Sequence, residues 1–249
     1  MASRTEDLGA ARFNTTHWSV VLACGGESDT LQAKAALASL FQTYWYPLYA
    51  YVRRRGYSEQ DAEDLVQGFC AHLLEKHALT KADPQRGKFR TFLLSSLQNF
   101  LANEKARAHA QKRSCGGEVF SLDGEDARGR YRLELADQLT PEVIFDMRWA
   151  HAVLEEALAS LRTDFVLKGK ERLFDELVSF LSVNGPAESY QQVAARLALP
   201  LSAIKTSVHR LRQDYRMKLC EEIGKTVSTQ DEIDEELRYL RSVLAGANS

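Results

Sequence analysis

The stretch SYQQVAARLALPLSAIKTSVHRLRQDYRMKL, from Ser189 to Leu219, admits few folds. Its first part offers Ser189 as a cap and sets Tyr190, Val193, Ala194 and Leu197 on one helical face. Ala198, Leu199 and Pro200 then interrupt the periodicity, and a second helix begins near Ser202. Ile204, Val208, Leu211, Tyr215 and Leu219 line one side of that helix, while Lys205, His209, Arg210, Arg212 and Arg216 surround the rest. Two amphipathic helices joined by so short a turn read as a helix-turn-helix, whose second helix enters a DNA major groove with its apolar side behind and its cationic side in front. An ordinary helical hairpin with a solvated basic face has the same pattern, and the pattern alone leaves both readings open.

Helical spacing extends over most of the remaining chain, which predicts an all-α protein. TLQAKAALASLFQTYW places Leu37, Leu40, Phe41, Tyr44 and Trp45 at helical intervals behind a Thr30 cap, and Pro47 is expected to bend or restart that helix because it lacks a donor. In YSEQDAEDLVQGFCAHLLEK, Ser58 and Asp61 resemble a capping box. Ala62, Leu65, Val66, Phe69 and Leu73 form one buried stripe there, with Glu63, Asp64 and Gln67 expected on the opposite face. After the turn ADPQRGKF comes a long helix with Phe89, Phe92, Leu93, Leu97, Phe100 and Leu101 as core candidates.

Gly116, Gly117, Gly124 and Gly129 then break the pattern, so residues 114–139 read as a flexible linker. A second helical domain opens at Thr140 and Pro141, a cap followed by a proline at the first helical position. Ile144, Met147, His151, Leu154, Leu158 and Leu161 are expected to form its core-facing seam. Beyond Glu221 the chain is acidic, and Ile233, Leu237, Leu240 and Leu244 predict one more amphipathic helix. The expected layout is thus two small helical domains, 1–113 and 140–222, a linker at 114–139 and a C-terminal helical extension at 223–249.

The formal net charge is −2, but it is unevenly spread. Arg86, Lys88, Arg90, Lys105, Arg107, Lys112 and Arg113 face only Glu104 within their span, a local +6; Arg196, Lys205, Arg210, Arg212, Arg216 and Lys218 face only Asp214, a local +5. Two such islands in an otherwise acidic chain are the footprint of a polyanion-binding surface, although a solvated charged face accounts for either island alone. Cys24, Cys70, Cys115 and Cys220 are scattered and form no CxxC pair, so free thiols are expected, with neither disulfides nor zinc. The chain lacks any apolar run near the roughly 20 residues of a membrane span, and its N-terminus lacks the layout of a secretion signal, so a cytoplasmic protein is expected. No phosphate loop, HExxH, nucleophile elbow or cluster of catalytic acids is present, and His72 and His77 miss the four-residue spacing that puts two ligands on one helix face. No catalytic residue, metal or cofactor is expected.

YQQVAARLALPLSAIKTSVHRLR resembles the promoter-reading segment, region four, of bacterial RNA polymerase sigma factors of the extracytoplasmic-function (ECF) subfamily. DAEDLVQGFCAHLLEK resembles the core-binding helix of region two in that family, and KFRTFLLSSLQNFLANEKARAHAQKR its strand-melting, minus-ten-reading helix. The three motifs stand in the family's order across residues 37 to 220. Ala198 stands where the family's turn usually has glycine, Phe92 where tryptophan is commoner, and SLQN replaces the usual arginine before the asparagine.

The resemblance implies a sigma region 2-like bundle and a sigma region 4-like helix-turn-helix, acting by binding and not by covalent chemistry. Glu63, Asp64 and Gln67 would dock on the clamp helices of the large subunit of RNA polymerase core. Lys88, Arg90, Asn99, Asn103, Lys105 and Arg107 would engage the minus-ten element, cations holding phosphate and the two asparagines, one turn apart, reading a flipped base. Lys205, Thr206, His209, Arg210, Arg212 and Arg216 would meet the minus-thirty-five element, Arg212 and Arg216 at phosphates. Promoter DNA and core polymerase are the implied partners, with an anti-sigma factor or other regulator as a further one. The rival classes are a conventional helix-turn-helix regulator binding a symmetric operator without polymerase, with residues 1–113 as sensor or dimerisation domain, and a helical enzyme.

Overall fold

Several helices of this chain begin where a hydroxyl side chain can take up an orphan backbone donor. Ser58 Oγ accepts from the amide of Asp61 at 3.1 Å, opening the helix Glu59–Glu75. Thr140 Oγ1 accepts from the amide of Val143 and is followed by Pro141, the first residue of Pro141–Leu167. Ser189 and Gln192 cap each other reciprocally ahead of Tyr190–Leu197. Thr229 and Glu232 do the same ahead of Gln230–Gly246.

The computed structural model describes residues 31–75, 88–111, 139–182, 188–227 and 229–246, excluding the side chains at 31–40, 74–75 and 108–111. We label its helices α1 (Leu31–Arg54), α2 (Glu59–Glu75), α3 (Phe89–Gln111), α4 (Pro141–Leu167), α5 (Glu171–Leu177), α6 (Tyr190–Leu197), α7 (Leu201–Gly224) and α8 (Gln230–Gly246), with a 3-10 turn at Val178–Leu181 after α5. There is no strand among the described residues, and no helix among them is long and apolar enough to cross a membrane. The fold is all-α. Thr30, His77, Cys24, Cys115 and residues 114–138 of the expected linker lie outside the described residues.

Two cores organise these helices. The first gathers Tyr44, Leu48 and Tyr49 of α1, Ala62, Val66, Phe69 and Leu73 of α2, and Phe89, Leu93, Leu97 and Leu101 of α3. It also takes in Phe145, Trp149 and Val153 of α4, Ile223 at the end of α7, and Ile233, Leu237 and Leu240 of α8. The second holds Leu161 of α4, Phe174 and Leu177 of α5, Phe180 of the 3-10 turn, Val193 and Ala194 of α6, and Ile204, Val208 and Leu211 of α7. Helices α4 and α7, of 27 and 24 residues, therefore run through both cores.

Packing of α1 along α4 is reinforced by polar ties. Arg54 Nε donates to the Leu139 carbonyl at 2.8 Å. Tyr51 Oη takes bonds from Arg55 at 2.9 Å and from Gln98 of α3 at 3.0 Å, and donates to Glu142 of α4 at 3.4 Å.

Two expectations need correction. Pro47 lies inside an unbroken α1, so it does not restart the helix; three tyrosines flanking it, Tyr44 before and Tyr49 and Tyr51 after, are buried and hold the helix by tertiary packing. The seam of α4 is rotated from the expected one. Phe145, Trp149, Ala150, Val153 and Ala157 are buried, whereas Met147, His151, Leu154 and Leu158 are half-buried. Because α4 packs against α1 on one side and α7 on another, more than one of its faces is apolar, and a single-stripe reading selects a flank.

Candidate nucleic-acid and polymerase interface

On α2 the buried stripe is the expected one, and Gln67 is exposed while Asp64 is half-buried. Glu63 departs from expectation, for it is only 1% exposed. It lies one turn before Val66 and two before Cys70, so it flanks the apolar stripe instead of opposing it. Cys70, also half-covered, has its thiol pushed up to about 12 by burial.

Helix α3 divides into two parts. From Asn99 onward its outer face is open, with Asn99, Asn103, Lys105 and Arg107 all exposed and Arg107 paired to Glu104 at 2.5 Å. Asn99 and Asn103 share a face, since residues four apart are neighbours on a helix. The N-terminal end is closed. Lys88 Nζ sits 2.6 Å from Glu236 and 3.5 Å from Glu235, both on α8. Arg90 donates through Nε to Glu236 at 3.0 Å and through Nη1 to Asp146 of α4 at 3.0 Å. Its guanidinium lies 3.8 Å from the ring centroid of Tyr239 and 5.2 Å from that of Trp149. Tyr239 in turn donates to Asp146 at 2.7 Å. Burial alone would weaken the hold of Arg90 on its proton, but the bond and charge of Glu236, with Asp146 behind them, keep it above its ordinary range.

The helix-turn-helix is assembled in the second core. Val193 and Ala194 of α6 pack against Ile204, Val208 and Leu211 of α7, and Phe180 stacks on Tyr190 at 4.6 Å. The corner between the helices is a Schellman motif: the Leu199 amide donates to the Ala194 carbonyl at 3.0 Å and the Ala198 amide to the Ala195 carbonyl at 3.3 Å. This places Ala198 at φ 54°, ψ 39°, the left-handed conformation that glycine adopts without penalty.

Lys205, Thr206, His209 and Arg210 are exposed on the outward side of α7. Arg216 is exposed further along, near Cys220. Arg212 has a second engagement, because its Nε and Nη2 donate to the Phe180 carbonyl at 3.3 and 3.1 Å and tie α7 to the 3-10 turn. Two cations of the C-terminal island are held within the fold: Arg196 pairs with Glu176 and Glu188, and Lys218 with Asp164 and Glu221. The charge left to face a polyanion is thus carried mainly by Lys205, Arg210, Arg212 and Arg216.

Residues 40–110 match the family model Sigma-70 region 2. The match covers α1 from Leu40 onward, α2 and most of α3, and it supports a sigma-factor role in core polymerase binding and promoter DNA opening. No curated protein and no solved structure matches the chain. The region 2 match ends before the helix-turn-helix, whose candidate role rests on its own geometry.

The residues that sequence reasoning missed are Asp146, Trp149, Glu236 and Tyr239, which surround Arg90. One signal for Glu236 was present. It lies three residues after Ile233 and four before Leu240, a carboxylate in the apolar stripe of α8, and a charge in such a stripe needs a buried partner.

Proposed function

We propose that this chain is a sigma factor of the ECF subfamily, which binds RNA polymerase core, recognises promoter DNA and opens it. The observation that carries this reading is the region 2 match at residues 40–110, in a chain whose second core presents Lys205, Thr206, His209 and Arg210 on the outer face of a helix-turn-helix. In this reading Asp64 and Gln67 face the clamp helices of the large polymerase subunit. Asn99, Asn103, Lys105 and Arg107 meet the minus-ten element, and α7 reads the minus-thirty-five element. Residues 1–113 serve as the region 2-like domain, 140–222 as the region 4-like domain, 114–139 as linker and 223–249 as extension. The protein works in the cytoplasm by binding alone, and an anti-sigma factor is a further partner the reading allows.

The test is capture of bacterial core polymerase by the purified chain, with Asp64→Arg and Gln67→Ala beside it. Wild type should retain core, and Asp64→Arg should lose at least about tenfold in affinity, because a like charge set against a partner surface costs several kcal/mol. A wild type that ignores core polymerase yet binds a symmetric duplex would instead make the chain a conventional regulator.

A further inference from the structure

The N-terminal end of α3 carries two cations, Lys88 and Arg90, and helix α8 engages both, while Asp146 of α4 accepts a further bond from Arg90. Glu236, 2% exposed, uses both carboxylate oxygens: Oε1 lies 2.6 Å from Lys88 Nζ, and Oε2 accepts from Arg90 Nε at 3.0 Å. Glu235 adds a second carboxylate 3.5 Å from Lys88. One turn on from Glu235, Tyr239 lays its ring against the Arg90 guanidinium at 3.8 Å. An unstacked nucleotide offers a protein the same two things, an anion with several acceptor oxygens and a flat π surface.

We propose that α8 is a built-in nucleotide mimic, an intramolecular cover that occupies the Lys88–Arg90 end of the strand-binding helix and must leave before single-stranded DNA can use it. The proposal rests on the reading of α3 as a DNA-binding helix. Two features make α8 a removable cover and not merely another core helix. It is joined to α7 through the short segment 225–229 and packs through one stripe, Ile233, Leu237 and Leu240, so its displacement uncovers that stripe while α1, α2, α3 and α4 keep their shared core. Its charge is also unlike that of a DNA-contacting helix: Asp231, Glu232, Asp234, Glu235 and Glu236 stand against Arg238 and Arg241 alone. An approaching strand therefore meets repulsion from α8 and attraction from the cations beneath it. Displacement also lets Glu236 return to water, so no carboxylate is left stranded in the interior.

The experiment uses the full chain and a fluorescent forked duplex with a single-stranded tail at low salt. Glu235→Gln with Glu236→Gln should tighten binding about tenfold, and Lys88→Ala with Arg90→Ala added to that variant should abolish the gain. In wild type, saturating forked DNA should raise amide hydrogen exchange across residues 230–246, a readout that needs no variant to fold. Unchanged affinity in the glutamine variant together with unchanged exchange in α8 overturns the proposal. Lys105→Ala with Arg107→Ala and capture of core polymerase report on the underlying reading separately. If those variants weaken DNA binding and core is retained while α8 stays inert, only the cover is refuted; if DNA binding and core capture both fail, the sigma reading falls with it.

Discussion

Replacing Ala198 by glycine should stabilise the protein, although it deletes a methyl group. Ala198 is exposed and held at φ 54°, ψ 39° by the Schellman bonds that close α6. For an L-residue with a Cβ, that conformation costs roughly 1–2 kcal/mol, which glycine does not incur. Glycine gives back about 0.4–1 kcal/mol through its greater freedom in the unfolded chain. The methyl group is in solvent, so its loss removes little buried surface. The balance is a gain of about 0.5–1 kcal/mol, or a rise in Tm on the order of 1–4 °C for a chain of this size.

Urea denaturation followed by far-ultraviolet circular dichroism would measure it, with Ala198→Val as the opposing control because a β-branched residue tolerates this region worst. A glycine variant that is less stable than wild type, or a valine variant that equals it, would refute the claim that the corner is strained. Unchanged core capture and DNA binding are expected, since glycine leaves the corner geometry as it is.

Cys70 should react slowly with iodoacetamide in the folded protein: with its thiol held at about 12, its rate should keep climbing as pH rises past 9, where an ordinary thiol has levelled off, and peptide mass mapping at stepped pH would show a plateau near 9 if the burial argument fails. On duplex DNA carrying the preferred minus-thirty-five sequence, Lys205→Ala should lower the slope of log affinity against log salt by about 0.9 if Lys205 neutralises one phosphate. Arg210→Ala should cost about 1–3 kcal/mol and relax selectivity at one base pair if it reads a guanine, and equal losses on all sequences would make it a phosphate contact. A fragment of residues 1–113 should lack cooperative unfolding in circular dichroism, whereas 1–168 should regain it; a cooperative transition in the shorter piece would contradict the shared core.

Local signals made most of the fold legible. The caps at Ser58, Thr140 and Ser189, the stripe of α2 and the pair α6–α7 are each set by residues within a turn or two of one another, and all stand where the spacing puts them. Even the left-handed corner was foreshadowed by Ala198 in a position that favours glycine. Long-range contacts were not legible. Arg90 reads from sequence as one cation among several, but Glu236 lies 146 residues away and Asp146 lies 56 away; the stripe of α8 signals that Glu236 needs a buried partner, and nothing local says that the partner is Arg90. Glu63 illustrates the same limit at short range: a carboxylate beside an apolar stripe is assigned to solvent by pattern, and only the packing of neighbouring helices decides otherwise. Counting charge along the chain likewise overstated both islands, because Lys88, Arg90, Arg196 and Lys218 are engaged by acids of the fold itself.

The domain boundary expected from sequence also differs from the boundary between the two cores. Ile144, Phe145, Trp149 and Val153 fall in the second of the two expected domains, yet they are at most 9% exposed and pack in the same core as Tyr44 and Phe89, with Tyr44 edge-on to Phe89 at 5.4 Å and stacked on Phe145 at 6.5 Å. At roughly 1.5–3 kcal/mol for each large side chain buried, these four contribute on the order of 6–12 kcal/mol before the compactness of real unfolded chains is allowed for. That is comparable to the 5–15 kcal/mol that holds a typical domain together. The first half of α4 therefore belongs energetically to the bundle of α1, α2 and α3, while its second half carries α5, α6 and the start of α7. A rigid helix of 27 residues, about 40 Å at 1.5 Å per residue, thus fixes the helix-turn-helix relative to the region 2-like bundle. In this packed state the spacing between the exposed faces of α3 and α7 is set by α4.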